Sequence, residues 1–521
     1  MRQALLRHPK WAALALGLCS ATGFEPLKLW PVTIACFAGL MVLIAAAPDR
    51  RATFLRGWLF GVGHFTLGLN WIAHAFSFQD AMPHWFGYGA VILLSLYLAI
   101  YPALAALSAW SLGRYLDPDA TPAPRWLSFT LLFAAAWIAT EYLRAWMFTG
   151  FAWNPLGAIW LPTGVAIAST LIGTYGLGAL VVLASGALIL ATHRQFRQVA
   201  ALAAPLCALS VWGQLDRAPP PPPGAPLIHV VQPNIGQDEK YSPELELAHF
   251  QNLATLSGRP RPAPRLIFWP EAAIPAYLDL EPEWRARLAG LLGPGDLLMT
   301  GATKVYFKQV VKDGVPQNVL AGANNSLFVV TPQATLAARY DKAHLVPYGE
   351  YLPMRGLLEP IGLSRLVPGD ADFWPGPGPQ SLTLPATLGR PTLRMGVQIC
   401  YEIIFSGHVI DAANRPAFLF NPSNDAWFGS WGPVQHLAQA RLRALEEGIP
   451  IIRSTPTGVS AVIDARGAVR QSLGMNRAGF IETGLPPALP PTLFARVGNW
   501  APLAFLALLL AVPLAMRRGK N

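Results

Sequence analysis

Long apolar runs separated by short polar breaks fill the chain from near its start to about residue 213, and one more closes it at 499–516. A helix that crosses a bilayer needs about 20 mostly apolar residues. The pattern predicts eight such spans, at 11–24, 29–47, 57–79, 85–112, 126–146, 163–192, 198–213 and 499–516. Between 227 and 484 the pattern changes. Short β-branched or aromatic runs occur at 227–232, 266–269, 297–300, 326–330, 393–400, 418–420, 451–453 and 459–463, with helical spacing at 245–256, 282–292 and 436–447. Strands that alternate with helices predict an α/β domain whose sheet is covered by helices. The expected architecture is a multi-pass α-helical membrane domain with eight transmembrane helices plus one α/β domain. Residues 1–217 form the membrane body, 218–226 a linker, 227–490 the water-facing domain, and 491–521 a closing helix with a basic tail. Five consecutive prolines, Pro219 to Pro223, make the linker a stiff polyproline spacer.

Composition agrees with this division. The chain is 53% hydrophobic and only 13% charged, with a mean hydropathy of +0.36, too apolar for an ordinary soluble protein. The first run resembles a signal peptide, but it has no small-x-small cleavage site and another span follows at once. Leu16-Gly17-Leu18-Cys19 superficially resembles a lipoprotein acylation box, yet Leu18 is bulky where such a box has a small residue.

The net charge of +10 does not read as a nucleic-acid footprint, because no basic patch interleaved with recognition elements lies on one domain. Thirteen Lys and Arg residues fall in one alternate set of loops and tails, from Arg2 to Lys520, whereas the short loops of the other set hold only Lys28. By the positive-inside rule both termini are expected in the cytoplasm and the α/β domain on the far face, the periplasm of a double-membrane bacterium. Cys19, Cys36 and Cys207 fall in apolar runs, which leaves Cys400 alone in the α/β domain. That excludes a disulfide framework there, and no metal-ligand cysteine spacing is present.

Three segments of the α/β domain place a reactive side chain where a strand runs into a turn. The first, 266–271, ends Trp269-Pro270-Glu271, and the proline halts the strand so that Glu271 sits at its end. Alone, Glu271 reads first as an exposed carboxylate. The second, 340–353, carries Lys342 and Glu350 around a Pro-Tyr-Gly turn; such charges are ordinarily solvated, but the density of aromatic and proline residues argues for a structured loop. The third, 396–402, ends Cys400-Tyr401-Glu402. A cysteine is most often a small buried hydrophobe. Together, a lone thiol, a carboxylate and an amine at strand ends supply the nucleophile, base and oxyanion cation that acyl transfer requires.

These three segments resemble the Glu-Lys-Cys triad of the carbon-nitrogen hydrolase (nitrilase) superfamily. The closer resemblance is to the apolipoprotein N-acyltransferase family, which joins such a domain to eight membrane helices. It extends to 232–235, 424–429, 441–446, 453–455 and 495–500, and so covers essentially the whole chain. The resemblance implies an αββα sandwich, with Glu271 as base, Lys342 on the oxyanion and Cys400 as the thioester-forming nucleophile. It further implies Glu350 and Glu402 as supporting carboxylates, with Tyr401 after the nucleophile. The expected donor is a phosphatidylethanolamine-like phospholipid and the acceptor a diacylglyceryl-modified apolipoprotein in the bacterial inner membrane, with no metal or dissociable cofactor. Tyr241 stands where the family resemblance leads one to expect a tryptophan above the site. Trp427 and Phe428 are candidates to line a lipid-facing cleft, and read equally as core aromatics. Glu141 and Arg144, three apart on one helix, are expected only to pair near the interface. A membrane-tethered amidase using the same triad, and a transporter or scaffold whose outer domain only binds, are the competing readings. Eight spans disfavour the first, and the scarcity of charge within the spans disfavours the second.

Overall fold

The computed structural model describes residues 2–78, 83–116, 125–312, 315–361 and 372–518. Among these residues, five helices are long and apolar enough to cross a membrane: Phe86–Leu116, Trp126–Trp146, Gly164–Thr192, Phe196–Leu215 and Trp500–Arg517. The expected eight is therefore not reached on length and apolarity. The first two predicted spans fold as Pro9–Ser20 and Trp30–Ala45, both shorter than a full crossing. The third folds as Arg50–Gly68, where Arg50, Arg51 and Arg56 dilute the apolar character; the end of that predicted span, residue 79, lies outside the described residues, as does Lys520 of the basic tail. Phe196–Leu215 buries none of its residues. A helix that apolar and that uncovered needs a non-aqueous solvent around it.

The α/β domain has twelve strands: β1 Leu227–Gln232, β2 Arg265–Phe268, β3 Leu297–Lys312, β4 Val315–Val330, β5 Leu336–Asp341, β6 Ser381–Leu384, β7 Leu393–Val397, β8 Phe418–Pro422, β9 Ile451–Ser454, β10 Ser460–Ile463, β11 Val469–Leu473 and β12 Gly479–Gly484. They form two six-stranded sheets, ordered β12-β1-β2-β3-β4-β5 and β11-β10-β9-β8-β7-β6. Central neighbours pair in parallel, β1 with β2 and β2 with β3, and β7 with β8 and β8 with β9. Strands buried on both faces read as near-continuous apolar runs, which is why these were visible in the sequence.

Side-chain alternation divides each strand between two cores. Ile228, Val230, Phe268 and Met299 of the first sheet meet Met395, Val397, Phe418 and Phe420 of the second. The first sheet's other face, with Val231, Ile267 and Leu298, is covered by the helices Glu246–Ser257 and Pro282–Ala289 through Leu253, Trp284 and Leu288. The second sheet's outer face, with Leu419, Ile451 and Ile463, is covered by the helix Gly432–Glu447, whose apolar side chains join one core with the membrane-body helices. The result is an αββα sandwich with one helical layer wedged against the membrane body.

That wedge is polar as well as greasy. Arg443 pairs with Glu446 at 3.1 Å, and Glu446 accepts from the Thr174 backbone at 2.6 Å and from Ser406 at 2.7 Å. Thr174 follows Gly173, where the helix Ser169–Thr192 kinks at φ 65°. The kink frees the Thr174 N–H, and Glu446 satisfies it.

Candidate active site

The nucleophile candidate sits on a sharp turn. β7 ends at Val397, and Cys400 opens a short 3-10 turn with φ at 50°, a left-handed conformation that costs a non-glycine residue energy unless its surroundings impose it. Two side chains impose it. Glu402 accepts from the Ile399 N–H at 2.6 Å, and His436 Nε2 lies 3.0 Å from the Cys400 carbonyl oxygen. His436 Nδ1 in turn lies 3.0 Å from Asp425 and from Arg453 Nη2, and Arg453 pairs with Asp425 at 2.6 Å. Burial, then the neighbouring Arg453 charge, lowers the His436 pKa. The neutral ring therefore donates from Nε2 and accepts from Arg453 at Nδ1.

Glu402 does a second job. Its other oxygen accepts from Tyr340 at 2.8 Å and from the Ala343 and His344 N–H groups at 2.7 and 3.1 Å. One carboxylate thus bolts the Cys400 turn to the segment that follows β5. Lys342 heads that segment, and its ammonium reaches Glu271 at 3.3 Å and Glu350 at 2.9 Å. Glu350 is fixed by the Val346 N–H at 2.8 Å. Asn325, on β4, donates to Glu271 Oε1 at 2.7 Å and to Glu350 at 2.8 Å.

Electrostatics assigns resting protonation states. Burial alone would raise the Glu271 carboxyl, but Lys342, Lys240 and the Asn325 hydrogen bond outweigh it and hold the carboxyl below its ordinary value. For Lys342, burial works against the charge, and Glu271 and Glu350 overcome it, leaving the ammonium more firmly protonated than usual. Burial, then the Glu271 charge, push the Cys400 thiol up to about 12. A raised thiol and a lowered carboxyl both oppose moving the proton from Cys400 to Glu271 at rest. The thiol consequently stays protonated at rest and ionises only as it attacks. Glu271 Oε2 has no hydrogen-bond partner among the described residues, so it can take that proton.

Cys400, Glu271 and Lys342 line one cavity of about 1130 Å³. Its walls come from both domains. Trp71, Phe86, Leu93, Tyr97 and Phe151 of the membrane body face Ile235, Tyr241, Trp427 and Phe428 of the sandwich. Phe428 is both lining and packing, since its ring lies 4.7 Å from Trp71 and 5.5 Å from Trp153. Tyr241 is half exposed at the cavity. Tyr401 donates to the Gly150 carbonyl at 3.2 Å and so fastens the Cys400 turn to the membrane body.

Residues 16–187 match the model of the apolipoprotein N-acyltransferase N-terminal domain, and residues 228–488 that of carbon-nitrogen hydrolase. An apolipoprotein N-acyltransferase of Rhodopseudomonas palustris is 35% identical to this chain, over 97% of it and 95% of its own length. Proteins of the same name from Bradyrhizobium diazoefficiens and Caulobacter vibrioides are 36% and 35% identical, over 97% and 98% of this chain and 94% of each relative. The chain belongs to the apolipoprotein N-acyltransferase family. Among solved structures, Saccharomyces cerevisiae Nit3, a member of branch 10 of the nitrilase superfamily, aligns with 50% of this chain and 90% of its own at 19% identity and a TM-score of 0.32.

In this family member, all nine residues singled out from the sequence lie at or beside one site. Seven line the cavity together with Glu350, and Glu402 braces it from behind. Sequence reasoning missed Asn325, Lys240 and His436. Asn325 carried a signal, since Asn324-Asn325 interrupts an otherwise strand-like run, but its meaning depends on pairing with residues 54 and 25 positions away.

The membrane-body pair also does more than pair. Glu141 and Arg144 are buried and 3.6 Å apart, Glu141 accepts from the Leu156 N–H at 2.7 Å, and Arg144 donates to the Trp153 carbonyl at 2.8 Å. Together they hold the non-helical stretch that presents Gly150 to Tyr401 and Trp153 to His436, whose rings are 5.1 Å apart.

Proposed function

We propose that this family member moves a fatty acyl chain from a phospholipid to the N-terminal amine of a diacylglyceryl-modified lipoprotein through a thioester on Cys400. In the first half-reaction Cys400 Sγ attacks an ester carbonyl of a phosphatidylethanolamine-like donor as Glu271 takes the thiol proton. Lys342 carries the charge that develops on the carbonyl oxygen. The carbon–oxygen bond breaks, the leaving oxygen takes the proton from Glu271, and a lysophospholipid departs. In the second half the lipoprotein α-amine attacks the thioester, Glu271 takes its proton, and the carbon–sulfur bond breaks with the proton returned to sulfur. Such an amine has an ordinary pKa near 8, so a modest pull from a carboxylate makes it a nucleophile.

The single observation that carries this reading is the shared cavity, in which Cys400, Glu271 and Lys342 open onto the apolar side chains of membrane-body helices. A cleft walled by lipid-facing residues excludes water and so favours attack by the amine over hydrolysis. Glu350 and Glu402 position Lys342 and the Cys400 turn, Tyr401 secures that turn, and Tyr241, Trp427 and Phe428 contact lipid. Residues 1–217 and 491–521 belong to the membrane and 227–490 to the periplasm, with both termini cytoplasmic in the inner membrane of a bacterium.

The test supplies purified protein with phosphatidylethanolamine and a synthetic diacylglyceryl-cysteine peptide. Formation of the N-acylated peptide together with lysophospholipid supports the transferase. Turnover of a small amide, with the peptide left unmodified, would instead identify a membrane-tethered amidase.

A further inference from the structure

The cavity has an unequal charge inventory. Its described lining holds three carboxylates, Glu246, Glu271 and Glu350, and two lysines, Lys240 and Lys342. Lys342 is committed, tied to Glu271 and Glu350 at 3.3 and 2.9 Å. Lys240 makes no ion pair among the described residues. Its ammonium donates to the Glu271 backbone carbonyl at 3.1 Å and lies 5.8 Å from the centre of the half-exposed Tyr241 ring. A partly buried ammonium at the cavity, contacting only the neutral oxygens of the Glu271 backbone and the Asn424 amide and feeling the Glu271 charge only at longer range, is incompletely compensated for its desolvation.

The two substrates of the proposed reaction differ in one respect that bears on this lysine. A phospholipid carries a phosphodiester anion on the same glycerol as the ester that Cys400 must reach, so the anion enters the cavity with it. A diacylglyceryl cysteine carries no phosphate. An anion drawn into a largely apolar cleft already holding three carboxylates requires a cation not bound elsewhere. We propose that the Lys240 ammonium is the phosphate-binding group of this cavity, engaged by the donor phospholipid in the first half-reaction and idle in the second. This rests on the transferase reading above. The direction in which burial moves Lys240, down to about 8, fits a cation awaiting an anionic partner.

Support of Glu271 by charge is not the main role of this lysine. A lysine that served mainly to hold Glu271 ionised would be expected on its carboxylate, where Lys342 and Asn325 already sit, rather than on its backbone carbonyl. The test therefore separates phosphate binding from support of the base. Acylation of Cys400 is followed by intact mass in wild type, Lys240→Met and Lys240→Arg. One donor is phosphatidylethanolamine in detergent micelles, and the other is an uncharged p-nitrophenyl fatty ester. Charge-assisted hydrogen bonds contribute enough for about a tenfold or greater rise in the phospholipid KM in Lys240→Met. Because Lys240 also helps to hold Glu271 ionised, the uncharged ester and the transfer of a thioester formed beforehand should each lose far less than the phospholipid does, and Lys240→Arg should recover most of the phospholipid loss.

An equal loss with both donors, or an equal loss in both half-reactions, would overturn the proposal and assign Lys240 to Glu271 instead. Lipid-tethered and free phosphate share this chemistry, so binding is also measured in Cys400→Ala with phosphatidylethanolamine, diacylglycerol and inorganic phosphate alone. Lysine-dependent preference for the phospholipid over diacylglycerol is expected; no preference, or binding of inorganic phosphate as tight as that of the lipid, would refute it. If wild type forms no adduct from phospholipid while the uncharged ester still acylates it, the donor assignment fails. If neither donor acylates Cys400, the transferase reading itself fails.

Discussion

Asn325 offers a perturbation whose size follows from the structure. Its amide donates to Glu271 Oε1 at 2.7 Å and is one of the groups that hold that carboxyl below its ordinary 4.5. A hydrogen bond to a charged acceptor contributes about 1.5–3 kcal/mol, and 1.36 kcal/mol corresponds to one pKa unit. Asn325→Ala should therefore raise the Glu271 pKa by about 1 to 2. Glu271 acts as a base only when ionised, and the ionised fraction falls as pH drops through its pKa. A higher pKa thus moves the acidic limb of the pH–rate profile to higher pH by about the same 1 to 2. The assay is the rate of Cys400 acylation between about pH 4 and 8 in wild type and variant. An acidic limb that superimposes on that of wild type, whatever the fall in maximal rate, would refute the assignment of Asn325 as a donor to an ionised base.

Three further outcomes are expected. Glu402→Gln leaves an amide N–H facing at least one of the four donors that the carboxylate accepts; at about 2–4 kcal/mol, acylation should slow by roughly 30- to 1000-fold, and Tyr340→Phe, which removes one donor, by much less. Asp425, pushed up by burial but drawn down to about 2 chiefly by Arg453, contributes stability present above its ordinary 3.8 and lost as pH falls toward 2. Asp425→Asn should accordingly cost about 2 kcal/mol or more at pH 7, a deficit that chemical denaturation should find shrinking toward pH 2. Breaking the buried Glu141–Arg144 pair by Arg144→Met should destabilise by about 3–5 kcal/mol, with Glu141→Leu/Arg144→Met closer to wild type in thermal melts; a double variant worse than the single would contradict the pairing.

How much of this was legible in the sequence depends on the range of the interaction involved. The central strands and the helices against them were readable because burial on one or both faces writes apolar runs and helical periodicity into the chain. Glu271, Lys342 and Cys400 were readable because each closes such a run. The outer part of the β3–β4 hairpin was not. Only 297–300 and 326–330 read as strand, whereas the strands reach Lys312 and begin at Val315, and exposed Lys308, Val310, Val311 and Gln317 carry no one-sided burial to betray them. Edge strand β11, exposed through its centre, escaped for the same reason, whereas β6 and β12 gave too short a signal although Leu382, Leu384 and Ile481 reach the core. The count of eight spans is not confirmed, because apolar composition marks membrane burial but not helix length: the predicted 57–79 span has its helix end at Gly68, before a turn at 69–71. His436 looked like one polar residue on an amphipathic helix. Its role exists only because the sandwich brings that helix beneath the Cys400 turn.

The central claim is that Cys400 carries the acyl group, and intact-mass analysis tests it without a second substrate. Protein incubated with phosphatidylethanolamine of defined chains should gain the mass of one fatty acid less water, mapped by fragmentation to Cys400, released by hydroxylamine and missing from Cys400→Ala. An unmodified Cys400 in protein that nevertheless acylates the lipoprotein peptide, or an adduct that persists in Cys400→Ala, would contradict the account.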